Sequence, residues 1–104
     1  MTDNTNIVKG AETLKVLLTD AEKVEFSRDG KRVKVFDCSL EYGKGTIQYS
    51  KTMNTIRFHR KIILDKVTDF YIKHFPESNS VLYRIERGNE QIRGYVFLSS
   101  LVSE

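Results

Sequence analysis

Lys61–Phe75 reads KIILDKVTDFYIKHF, and the element assigned to it fixes the architecture of the whole chain. Ile63, Leu64, Val67, Phe70, Tyr71 and Phe75 recur at spacings of three and four, with Lys61, Asp65, Lys66, Asp69 and Lys73 outside that set. Such a period predicts one long amphipathic α-helix with a broad apolar face. Pro76 closes it, because the residue before a proline avoids helical angles and proline offers no amide donor.

On its N-terminal side, Thr46–Ser50 and Thr55–Arg60 alternate apolar and polar residues around Lys51–Asn54. Placing Ser50 opposite Thr55 sets Tyr49 against Ile56 and Ile47 against Phe58 on one face, with Gln48 and Arg57 on the other. Before a loop at Tyr42–Gly45, a further hairpin turns at Asp29-Gly30. There Arg28 faces Lys31, Phe26 faces Val33, Val24 faces Val35 and Glu25 meets Lys34, so apolar pairs with apolar and acid with base. Beyond Pro76, Val81–Glu86 and Gln91–Leu98 flank Gly88-Asn89, with Ile85 opposite Ile92, Tyr83 opposite Gly94, and Arg84 opposite Arg93. Ala11, Leu14, Leu17 and Leu18 give a short helix over about Ala11–Leu18. The expected fold is therefore α+β: a short N-terminal helix, two β-hairpins, one long amphipathic helix and a C-terminal β-hairpin, the antiparallel sheet having helices on one face.

A length of 104 residues fits a single domain over 1–104, with the polar segment 1–10 expected to be flexible. Aromatic content of 11% and a single proline exclude a disordered chain. One cysteine, Cys38, excludes an internal disulfide and fits a reducing, cytoplasmic setting. A membrane helix needs about 20 apolar residues, and no run approaches that length, so no membrane partner is expected.

Enzymatic signatures are missing, and the expectation is a non-enzymatic protein without cofactor or metal. Gly43 and Gly45 lack the spacing and following helix of a phosphate loop. His59 and His74 lie far apart with no further ligand at zinc spacing, so His74 reads as a packed core-edge residue and Cys38 as a lone thiol.

Charge placement says more than the net +3. Residues 28–61 carry nine Lys and Arg against three acids, a net +6, while the flanking segments are slightly acidic. Arg32 and Lys34 alternate outward on one strand, and Arg57 and His59 on another, with Lys51 at the turn between the second pair. Arg60 and Lys61 stand where the long helix would begin; either both side chains point to water at a small cost, or with the helix's amide groups they hold a phosphate. Arg84, Arg93 and Tyr95 share a face of the last hairpin, where Tyr95 can stack on an unpaired base. Alternatively, a bulge at Gly94 turns Tyr95 and Phe97 into the core.

In its order of elements, the chain from about Ala11 to Ser99 resembles the double-wing DNA-binding domain of the T-even phage middle-promoter transcription activator. The likeness is most visible over Gly45–Phe75, where an isoleucine-bearing hairpin with an asparagine turn passes directly into an amphipathic helix. The resemblance implies a viral regulator of transcription or DNA metabolism with basic strand faces lying on DNA. No signature motif is shared, so no contacting residue carries over by position.

Two functions remain open on the sequence. One is a small nucleic-acid-binding protein, DNA being the expected polymer, using Arg32, Lys34, Lys51, Arg57, His59, Arg60, Lys61, Arg84, Arg93 and Tyr95. Neutralising about four to six duplex phosphates would give a log–log salt slope of roughly −4 to −5. The other is a protein-interaction module whose basic face docks an acidic protein surface and modulates a host protein. A homodimer through an edge strand is compatible with either.

Overall fold

Asn6 opens the one helix found among the described residues, which in this computed structural model are 6–99 together with the backbone of 101–103. Its side chain accepts the Lys9 amide at 2.8 Å, an N-cap that starts α1 (Ile7–Thr19) one turn earlier than the apolar period alone implies. Ile7, Gly10, Ala11, Leu14 and Leu18 form its buried stripe. Of the segment expected to be flexible, residues 1–5 lie outside the described residues, and Ile7–Gly10 belong to α1.

Two sheets follow. β1 (Lys23–Phe26), β2 (Arg32–Phe36), β3 (Lys44–Ser50), β4 (Thr55–Phe58) and β5 (Lys61–Leu64) form an antiparallel meander, to which β9 (Leu101–Ser103) adds in parallel beside β1. β6 (Asp69–Phe75), β7 (Ser80–Arg87) and β8 (Glu90–Phe97) make a separate antiparallel sheet. The fold is α+β, with α1 against β5, β7 and β8 and one continuous core drawn from the helix and both sheets.

The pairings expected within all three hairpins are present: Phe26 with Val33, Ile47 with Phe58, and Ile85 with Ile92. The first turn is wider than expected. The Ser27 N–H donates to the Arg32 carbonyl at 3.0 Å and the Gly30 N–H to Ser27 at 3.3 Å, so Arg28 and Lys31 do not pair. Lys31 turns instead toward β6, where its ammonium donates to Asp69 and to the Phe70 carbonyl.

The long helix over Lys61–Phe75 is absent, and the segment forms β5 and β6 instead. In β6 the buried side chains alternate strictly, Phe70, Ile72 and His74 inward against Tyr71, Lys73 and Phe75 outward. β5 does not alternate, because a register shift against β4 buries Ile63 and Leu64 side by side. With the bend at Lys66, φ 55°, this adjacent pair stands ahead of the alternation in β6 and imitates spacings of three and four. The segment is also rich in β-branched and aromatic residues, which pack well on a pleated surface and lose side-chain freedom in a helix. Pro76 therefore ends a strand. Two sheets replace the single sheet with helices on one face, and Arg60 and Lys61 have no helix terminus beneath them.

The turn of the first hairpin joins the two sheets. The Ile72 N–H donates to the Gly30 carbonyl at 3.0 Å. Gly30 sits at φ 73°, and a Cβ there would lie 2.9 Å from the Tyr71 ring, so glycine serves both the turn and the contact. Gly94 makes no bulge: β7 and β8 pair without a register shift, leaving Tyr95 and Phe97 exposed rather than in the core. Among the described residues, no helix is long and apolar enough to cross a membrane.

Candidate nucleic-acid interface

Strand alternation builds the site. Val33, Val35 and Ile47 point into the core, which sends Arg32, Lys34, Thr46 and Gln48 to the outer face of the larger sheet. Register then lays Arg32, Gln48 and Arg57 in one row across β2, β3 and β4, with Lys34 beside Thr46 in the next. Between these rows lies a groove of about 470 Å³ whose lining includes Lys34, Lys44, Gln48, Arg57 and His59, and no carboxylate.

Gly45 lets the groove exist. A Cβ on it would stand 2.5 Å from Phe58 and 2.7 Å from His59 Nε2, so only a bare backbone fits beneath those rings. His59 lies in the turn after β4 at φ 57°, where its Nε2–H donates to the Lys44 carbonyl at 2.7 Å. That bond uses the Nε2–H and fixes the orientation of the ring. Tyr42 meets the same ring edge-on at 6.1 Å.

The cations are poorly neutralised within the fold. Glu25 pairs with Lys34 in register, but its carboxylate bonds Lys23 at 3.4 Å, and the Lys34 ammonium lies 5.9 Å from the centre of the Phe36 ring. Arg57 buries its Nε with no hydrogen-bond partner, and a buried charged donor left unmade is costly.

Lys34, Arg57 and His59 thus line one groove, joined by Lys44, which the sequence hid inside an apparent loop. Arg32 and Lys51 border a shallower depression alongside, shared with Asp29. The Asp29 carboxyl is already engaged, held below its usual range by the Ser27 hydroxyl and then by the Lys31 N–H.

The remaining expected residues lie elsewhere. Arg60 is in the β4–β5 turn, and Lys61 pairs with Phe58 and lines a cleft against α1 with Lys9 and Glu12. Arg84, Arg93 and Tyr95 share the outer face of the smaller sheet. There Arg84 is bound by Asp69 at 3.2 Å and Glu86 at 3.3 Å and lies 5.7 Å from the Tyr71 ring centre, so it is no free cation.

His74 is placed as a packing group and Cys38 as a surface group. His74 is buried, stacks on Phe26 at 5.4 Å and hydrogen-bonds Asn79 at 2.8 Å. Cys38 is exposed, and its thiol donates to Glu22 at 3.0 Å, an interaction that pushes its pKa up and disfavours the thiolate. Among the described residues, no three His, Cys, Asp or Glu side chains gather where they could hold a metal ion. No family model matches the chain, and no curated protein or solved structure matches it.

Proposed function

We propose that the chain is a small nucleic-acid-binding protein that lays a phosphate backbone across the outer face of β2, β3 and β4. The groove between Lys34, Lys44, Arg57 and His59 carries this reading, because several cations and no carboxylate line it. Thr46, Gln48 and Ser50 add neutral donors on the same surface. Such contacts position a polymer without reading its sequence. The protein binds and does not catalyse: the Cys38 thiol is held protonated beside Glu22, and His74 is enclosed by Phe26 and Asn79. An exposed free thiol fits a reducing cytoplasm.

Fluorescence anisotropy with labelled single-stranded and duplex oligonucleotides at two salt concentrations tests the proposal. The triple variant Lys34→Glu, Lys44→Glu, Arg57→Glu should lose at least about a hundredfold in affinity with unchanged circular dichroism. Equal affinity in a folded triple variant would defeat it.

A second reading, docking of a partner protein, draws on the cleft between α1 and the unpaired edge of β5. Val16 and Ile62 are exposed there beside Lys9 and Lys61, so an acidic, partly apolar partner or a second copy of the chain would fit. Its mark would be a 1:1 protein complex or a dimer, lost in an Ile62→Glu variant that keeps oligonucleotide affinity.

A further inference from the structure

The outer face of β6, β7 and β8 is divided along the strands into two chemically different parts. At one end, Asp69, Glu86 and Gln91 form a polar row with two acids. The remaining three rows hold no carboxylate. They run Tyr71, Arg84, Arg93; then Lys73, Leu82, Tyr95; then Phe75, Ser80, Phe97. Tyr95 is 63% and Phe97 73% exposed, far beyond what an outward aromatic needs merely to cover a sheet.

We propose that this aromatic and cationic face stacks unpaired bases, which makes the polymer of the proposed function single-stranded. The inference rests on that function only in naming a nucleic acid; its surface is separate from the groove. Tyr95 and Phe97 stand two residues apart on one strand, so their rings are offset by about 6.8 Å along it. That is about twice the 3.4 Å step of a stacked strand, which leaves room for a base beside each ring. Aromatic stacking tolerates any base, and neighbouring cations hold the connecting phosphates.

Arg93 supplies the charge argument. It lies directly across from Arg84, an unfavourable like-charge pair. Arg84 is relieved by Asp69 and Glu86, whereas Arg93 has no ion-pair partner among the described residues and stands exposed next to Tyr95. Lys73 lies 5.3 Å from the centre of the Phe75 ring, offering a second positive charge on the same face. A second copy of the chain is a poor occupant, since a two-fold contact would set this acid-free cationic surface against itself.

The test uses the full chain with three probes: fluorescein-labelled dT15, a labelled 15-base-pair duplex and inorganic polyphosphate. The double variant Tyr95→Ala, Phe97→Ala should weaken dT15 binding about tenfold per ring removed. Duplex and polyphosphate affinity should stay within twofold, and Tyr95→Phe with Phe97→Tyr should restore dT15 binding. Because the chain has five tyrosines and no tryptophan, dT15 should quench its intrinsic emission, and less so after Tyr95→Phe. Both side chains are exposed, so circular dichroism and urea unfolding should be unchanged. Undiminished dT15 binding by the alanine variant, or an equal loss for polyphosphate, overturns the inference and leaves the groove standing. A wild-type dimer in sedimentation that the alanine variant dissolves also overturns it, assigning the face to self-association. Loss of dT15 binding in the alanine variant but not in the groove variant would instead uphold this face and remove the groove.

Discussion

Asp69→Asn should weaken the joint between the two sheets. One carboxylate oxygen accepts from Lys31 at 3.1 Å and the other from Arg84 at 3.2 Å, with all three side chains 34–39% exposed. Pairs so open to solvent contribute about 0.5–1 kcal/mol each, so removing the charge should lower stability by about 1–2 kcal/mol. The loss stops there because Lys31 still donates to the Phe70 carbonyl and the Ile72 N–H still donates to Gly30. For a domain of this size each kcal/mol moves the melting midpoint by about 4–8 °C, well within reach of urea and thermal unfolding. In a Lys31→Met background the same substitution should be milder by the Lys31–Asp69 coupling, about 0.5–1 kcal/mol. The pH dependence has a definite sign. Burial opposes ionisation of Asp69, but the Lys31 hydrogen bond and charge, the Phe70 N–H and Arg84 outweigh it and hold the carboxyl below its usual range. A depressed carboxyl contributes fully above its unfolded pKa of about 3.9 and loses that contribution as pH falls through the folded value. Wild type and variant should therefore differ at neutral pH and converge in acid. Additive effects of Lys31→Met and Asp69→Asn, or a stability difference that persists unchanged into acid, would refute the joint.

Three further substitutions test the backbone and the groove. Gly30→Ala places a Cβ at φ 73° and 2.9 Å from the Tyr71 ring, so it should destabilise by more than about 1 kcal/mol in urea unfolding. Gly45→Ala drives a methyl to 2.5 Å from Phe58 and should cost about 1–3 kcal/mol by overpacking. By displacing His59 it should also weaken duplex binding, read by anisotropy under conditions where the variant stays folded. Arg57→Gln should reduce the duplex salt slope by about 0.9, one phosphate contact, with no change for Gln91→Glu on the other sheet.

The hairpins were legible because their information is local. Asn54 at φ 55° and Gly88 at φ 61° mark turns by residue type, and cross-strand pairs such as Val24 with Val35 confirm register within a dozen residues. Lys61–Phe75 was misread because what decides it is distant: β5 takes its hydrogen bonds from β4, and β6 pairs with β7 across Pro76. A register shift that buries Ile63 beside Leu64, followed by the bend at Lys66, was enough to give the segment a helical period. Lys44 escaped notice for a related reason, since Gly43 and Gly45 on either side suggest a loop. The strand there is established only by pairing Phe36 with Lys44 and Val35 with Gly45. Arg84 shows the converse: its outward direction was readable, but not the carboxylates that occupy it, because Asp69 lies on another strand.

The position of the cations within the sheet argues for a ligand more strongly than their number does. Lysines on edge strands have an ordinary explanation, since they discourage pairing with other chains. That accounts for Lys61 on β5. It does not reach Lys34, Lys44 or Arg57, because β2, β3 and β4 are interior strands with neighbours on both sides. Solvation of an outward face requires polarity but not one sign of charge, and β1 shows the alternative in its Lys23–Glu25 pair. On the interior strands the carboxylates that would complete such pairs are missing from the groove, and Arg57 buries a donor without an acceptor. Neither edge protection nor solubility calls for that arrangement, whereas an anionic polymer lying across the strands would supply the missing counter-charge.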